Sequence, residues 1–280
     1  MKNYLGAFVT FLYAAAYFVL GPWSNAIDLY ISGFLLLVIG IPHGAGDHLI
    51  AAKIAQRENL TFHLKPFIVY YLGIMLAYAA LWYLSPLLSF VIFIGISIFH
   101  FGDMEDIHPV GSTKTWINLV QTVCLGSGIL SFILVSHWTE SFEIISSMQV
   151  KVPANLPTFS VLISLLFLIV GFQKKNVQPF FNTFFALAIG YFLPLIPAFI
   201  CYFSCCHAIT SFEGMRKHLD LKIVDLYKKL IPFSAGALLL GIIYIKLISK
   251  DLEIYPLFIF LSLLTLPHFL LMHKLIKRPN

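Results

Sequence analysis

Charge is what this chain has least of. Asp, Glu, Lys and Arg make up 11% of its 280 residues, against about 25% in a soluble domain. With 59% apolar residues and a mean hydropathy of +0.88, a soluble globular fold is excluded. The chain also lacks alternating apolar and polar runs, which excludes a transmembrane β-barrel. It lacks any basic patch interleaved with aromatics, so no nucleic-acid partner is expected. Its four cysteines, Cys124, Cys201, Cys205 and Cys206, all fall in apolar stretches. None is spaced for zinc or for a disulfide framework, and they read as small buried residues. There is no internal repeat, low-complexity tract or linker, so residues 1–280 are read as one integral membrane domain.

What remains is a series of long apolar runs broken by charge, proline or glycine. They predict an all-α polytopic bundle of eight to ten membrane segments. The segments lie at about 4–21, 28–50, 66–84, 86–101, 115–136, 157–172, 180–193, 198–213, 229–249 and 254–273. The first resembles a signal peptide only superficially. Its leading region has one lysine and its apolar run continues to Leu20, so it is read as a retained helix. Pro194 and Pro197 divide 180–213 in two. With that division both termini fall on one side. Placing them in the cytoplasm leaves only Lys151, Lys246 and Lys250 outside among the eighteen Lys and Arg. This satisfies the positive-inside rule and predicts a multi-pass protein of the cell membrane. The connection 137–157, with His137, Glu140, Glu143 and Lys151, reads as a solvated outer loop.

Four histidines, His43, His100, His207 and His268, lie within or at the edge of these apolar segments. An ionisable side chain at membrane depth is costly and marks a functional site by default. All four occupy the later part of a segment that runs from outside to inside, so they share the cytoplasmic half of the bilayer. His48, His63, His108, His137 and His218 fall at helix ends or in loops and read as surface or interface residues, and His273 lies toward the interface.

Each of the four has a distinctive setting. In Pro42-His43-Gly44-Ala45-Gly46-Asp47, the histidine and carboxylate stand four residues apart. That spacing stacks them on one helix face, where Asp47 can accept the other ring N–H and fix the tautomer. His100-Phe101-Gly102-Asp103 repeats the pattern with the carboxylate three residues on. His207 follows two cysteines, and Pro267 precedes His268 and can kink its helix so as to aim the ring inward. A set of neutral imidazoles suits iron, copper, zinc or nickel rather than magnesium or calcium. An apolar, aromatic surround suits a lipid-soluble substrate. The residues alone do not choose a reaction.

At these motifs the chain resembles the Brp/Blh family of microbial β-carotene 15,15'-dioxygenases. The resemblance covers Pro42-His43-Gly44-Ala45 with Asp47, His100-Phe101-Gly102 with Asp103, His207, and Thr265-Leu266-Pro267-His268, in that order along the chain. It implies an integral membrane enzyme that binds Fe(2+) through histidines. Such an enzyme cleaves the central double bond of β-carotene with O2, giving two retinal molecules that supply a rhodopsin. It implies His43, His100 and His207 as iron ligands, with Asp47 and Asp103 orienting the rings. One position departs from the family pattern: Ser211 stands one turn after His207, where a second histidine often occurs. Either His268 completes the site, or three imidazoles hold the ion and more positions stay open.

Three other readings of intramembrane histidines predict different behaviour. A haem electron-transfer protein would show a Soret band. A metal or proton transporter would carry flux without consuming O2. A pigment-binding protein would hold carotenoid or retinal and leave it uncleaved.

Overall fold

The computed structural model describes residues 4–20, 25–105, 116–157, 159–172, 177–248 and 254–277. Among them every regular element is helical. In chain order the helices are α1 (Leu5–Val19), α2 (Ile27–Arg57), α3 (Leu64–Leu84), α4 (Pro86–Glu105) and α5 (Trp116–Ser136). Next come α6 (Trp138–Ser147), α7 (Ser160–Gly171), α8 (Val177–Gly190), α9 (Leu195–Leu219), α10 (Ile223–Ile248) and α11 (Tyr255–Lys277). Seven of these, α2 to α5 and α9 to α11, are long and apolar enough to cross a membrane. The three shorter apolar helices are α1, α7 and α8.

The expected segments correspond to all of these helices except α6. The division between α8 and α9 falls where expected, with Pro194 as the residue before α9. Proline disfavours a helical conformation in its predecessor, so Leu193 cannot carry α8 onward into α9. Helix α6 is the addition. Its polar residues predict a solvated loop, yet Ser141 and Ile145 are buried, as are Met148 and Val150 just beyond it. Glu140 accepts a hydrogen bond from the Leu195 amide (3.0 Å), filling one of the donor positions that a helix start leaves open. The imidazole of His137 lies 2.8 Å from the carbonyls of both Ile133 and Leu193. The polar side chains of this segment therefore tie α5 to the start of α9.

Small residues set the spacing of the core. A Cβ on Gly102 of α4 would run into the Thr122 carbonyl of α5, and one on Gly126 of α5 into the Ile98 carbonyl of α4. The two backbones touch on either side of His100. In a membrane, where apolar burial gives helices little reason to associate, such close backbone approach is a main source of cohesion. Phe101, Leu125, Ile129, Leu168, Phe199 and Tyr202 form the largest buried cluster around this seam. On the other side, Trp82 of α3 donates to Ser262 of α11 (2.9 Å), and Tyr78 donates to the Ser89 carbonyl of α4 (2.7 Å). These bonds fix α3, α4 and α11 relative to one another, and α4 and α11 carry two of the histidines.

Candidate metal centre

Two of the four histidine-bearing helices depart locally from α geometry. Residues Leu36–Gly40 of α2 and Phe203–Ala208 of α9 form π-helical turns, and these two turns pack against each other. A π turn inserts a residue into the helical repeat and rotates the residues beyond it. His43 lies three residues after the first turn, and His207 lies within the second.

The four rings come from α2, α4, α9 and α11, and all are buried. One nitrogen each of His43, His100 and His268 falls within a set whose members all lie within 4.8 Å of one another. His207 Nε2 stands 3.1 Å from His100 Nε2. Its ring centroid is 4.7 Å from that of His100 and 5.6 Å from that of His43. Two imidazole nitrogens each about 2.1 Å from one ion, at right angles, lie about 3 Å apart. The His100–His207 separation fits that arrangement. The axial nitrogens of a haem face each other across its iron at about 4 Å, so this pair leaves no room for a porphyrin between them.

Hydrogen bonds on the far side of the rings fix which nitrogen faces inward. His43 Nδ1 donates to the Gly40 carbonyl. His268 Nδ1 donates to Asp47 Oδ1 (2.7 Å), and Tyr71 donates to the other oxygen of the same carboxylate (2.9 Å). His268 Nε2 is buried and has no partner among the described residues, and the same is true of His207 Nδ1. Unpartnered buried nitrogens are costly, and an ion between the rings would satisfy His268 Nε2. The donor set is imidazole with a carboxylate behind it, the usual support of a transition-metal site.

Asp47 thus serves His268 rather than His43, its neighbour one turn away. The helix carrying His43 ends at Gly46, where the backbone turns before α2 resumes at Asp47. The stacking that a spacing of four implies holds only in an unbroken helix. Asp103 stands half-buried near the end of α4, one turn beyond His100. Ser211 is buried one turn beyond His207. It lines a cavity of about 150 Å³ that His43, Asp47, Met215 and His218 share. Tyr71 carries no distinguishing signal in the sequence, being one of thirteen tyrosines.

Among the other histidines, His48 departs from expectation. It is buried, stacks on Phe233 of α10 with centroids 3.7 Å apart and donates to the Ala45 carbonyl. His218 lies 3.1 Å from the Arg57 guanidinium, and exposed His63 precedes α3. His108 and the side chain of His273 lie outside the described residues. Cys201, Cys205 and Cys206 are buried and Cys124 half-buried, all as free thiols.

Beside the rings is a cavity of about 340 Å³, within the range of small-molecule sites. His43, His100 and His268 form part of its wall, and phenylalanine, leucine and isoleucine make up most of the rest, among them Phe90, Phe93, Phe199 and Phe258. Tyr71, Ser97, Ser141 and Thr265 contribute its few hydroxyl-bearing residues. It is an apolar chamber with imidazole nitrogens at one end.

Comparison with known proteins agrees with this arrangement. The family model for beta-carotene 15,15'-dioxygenase matches residues 34–276, from the first π turn to the end of α11. A curated beta-carotene 15,15'-dioxygenase from an uncultured marine bacterium (66A03) is 26% identical over 261 residues, covering 88% of this chain and 93% of the relative. No solved structure matches the chain. A helical membrane bundle with buried, converging histidines, matched by the family model over most of its length, belongs to the beta-carotene 15,15'-dioxygenase family.

Proposed function

We propose that this protein is a non-haem iron oxygenase of the cell membrane, which cleaves the central 15,15' double bond of β-carotene with O2 to give two retinals. The observation that carries the reading is a set of buried imidazoles from four helices: His43, His100 and His268 stand at one end of an apolar chamber, and His207 lies against His100 behind them. His43, His100, His207 and His268 are the ligands in this reading. Asp47 positions His268, and Asp103 and Ser211 support the site from one turn beyond His100 and His207.

Ferrous iron, when bound, supplies the electrons and open coordination positions that O2 needs to react with an alkene. The protein's own residues do the rest. The Gly40 carbonyl holds the His43 tautomer, and Asp47, fixed by Tyr71, holds that of His268. Both Nε2 atoms are thereby left as neutral donors. The phenylalanine walls exclude water and hold a rigid polyene beside the nitrogens by shape and dispersion alone. The reaction balances without another reductant: one O2 and one carbon–carbon double bond become two aldehydes. The products are lipid-soluble and remain in the bilayer, available to a retinal-binding rhodopsin. In this reading both termini face the cytoplasm, which the distribution of Lys and Arg supports.

Expression in a β-carotene-producing bacterium tests the proposal. The expected result is loss of orange colour with retinal recovered by chromatography. Unchanged pigment beside folded, iron-loaded protein refutes it.

A further inference from the structure

The chamber is not equally closed on all sides. Along α4 its lining runs from Phe90 to His100 and its neighbour Phe101, and along α11 from Phe258 to His268. Each is about 15 Å of helix at 1.5 Å per residue, with the histidine at the end. Buried residues such as Leu130, Ile133, Leu195 and Met148 wall this part. At the histidine end the lining also includes residues of α2, α3, α9 and α10. There Leu72 of α3 and Leu240 of α10 line the same cavity yet are 36% and 41% exposed. Helix α10 packs chiefly against Ile41–Ala45 and α11, not α3. Added side chains at Gly44 and Gly236, which both border the cavity here, would meet nothing within 4 Å. The chamber therefore opens sideways, toward the lipid, between α3 and α10.

Resting on the function proposed above, the geometry points to a lateral portal between α3 and α10 that admits the carotenoid and then houses one of its two halves. Cleavage at the central bond requires equal lengths of polyene on either side of the imidazoles. The histidines stand at the end of the enclosed pocket, so that pocket holds one half only. The other half leaves through the α3–α10 seam, over Gly44 and Gly236. A side chain at Gly236 would occupy the space of that second half without touching the imidazoles. Gly236 is thus a specificity-determining position: its size sets how long the second arm of a substrate can be.

Two measurements test this on the full-length protein in detergent. In the first, Gly236→Phe is compared with Gly73→Phe, a control on the lipid-facing side of α3 away from the cavity. Binding is read anaerobically by visible absorbance for β-carotene and for an apocarotenal shortened at one end. The expected result for Gly236→Phe is a loss of β-carotene affinity of roughly tenfold or more, with apocarotenal binding kept within about twofold; the control changes neither. Equal loss of both ligands, or of neither, overturns the portal.

The second needs no obstructing residue. Leu72→Cys and Leu76→Cys, in a Cys124→Ser background, are labelled with an apolar maleimide with and without β-carotene. Leu76 is 71% exposed on the same helix and does not line the cavity. β-Carotene should slow labelling at position 72 by roughly tenfold and leave position 76 unchanged; equal rates at 72 with and without pigment overturn the portal. A parent protein that protects position 72 yet never cleaves the pigment sinks the dioxygenase reading and leaves the portal standing.

Discussion

Asp47 Oδ1 lies 2.7 Å from His268 Nδ1, joining residues 221 positions apart across the bundle. The same carboxylate is held from behind by Tyr71. Helices α2, α3 and α11 therefore meet at one buried carboxylate, and the ring it orients faces the chamber through Nε2.

Replacing Asp47 tests what that bond contributes. Loss of a partner behind a ligating histidine typically costs about 10–100-fold in metal affinity or activity. Asp47→Ala should fall in that range, because His268 loses its partner and its fixed orientation. Asp47→Asn keeps an acceptor oxygen and should lose less. Tyr71→Phe leaves the carboxylate on His268 and should be the mildest of the three. Metal titration of the purified variants ranks them; Asp47→Ala binding iron like the parent would remove Asp47 from the site.

That bond also marks the limit of what is legible in the sequence. The ten apolar segments and the division of 180–213 are legible because membrane helices announce themselves by length and hydropathy. The four histidines are legible because their burial is costly. Their convergence is not, since it depends on which helices touch. Nor are the π turns before His43 and around His207, because a π turn arises from tertiary packing and leaves no periodic signal. Spacing suggests His43 as the partner of Asp47, but His43 Nδ1 is taken by the Gly40 carbonyl and the carboxylate by His268 and Tyr71. Helix α6 escapes a reading by composition because His137, Glu140 and Glu143 resemble a solvated loop. The first two instead meet backbone groups of α5 and α9, while Ile145 packs inward.

The four imidazoles should not be equivalent to Ser211. His43→Ala, His100→Ala, His207→Ala and His268→Ala should each lose iron and abolish cleavage, since each removes a donor from a buried set. Ser211→Ala should keep its iron, because its hydroxyl lies beside the smaller cavity rather than among the four ring nitrogens. Elemental analysis alongside retinal formation separates these outcomes. Full activity and iron in His43→Ala would refute that assignment; iron loss in Ser211→Ala would extend the ligand set.

The α4–α5 seam should control the site from a distance. Gly126→Leu places a side chain against the Ile98 carbonyl, two residues before His100. Overpacking of this kind costs about 1–3 kcal/mol, and here the relief available is separation of α4 from α5. That movement carries His100 away from His207. Gly126→Leu should therefore lower both the thermal midpoint and the iron content, although residue 126 touches no imidazole. Gly95→Leu, on α4 where an added Cβ meets nothing within 4 Å, should change neither. Equal behaviour of the two variants would show that the seam does not set the position of His100.

Removing the metal should weaken the bundle in a way that depends on concentration. An ion bound only by the folded state stabilises it by RT ln(1 + [L]/Kd), about 2.7 kcal/mol at a hundredfold excess over Kd. The proposed ligands come from α2, α4, α9 and α11, so one ion would bridge four helices otherwise joined only by packing and a few hydrogen bonds. Chelator should lower the thermal midpoint in detergent, and added Fe(2+) should restore it with a saturating dose dependence. Protons compete with metal for imidazole, so the stabilisation should shrink as the pH falls. The His268→Ala variant should show little response to either treatment. A parent midpoint indifferent to chelator and to Fe(2+) would mean that the four rings are held together by the fold alone.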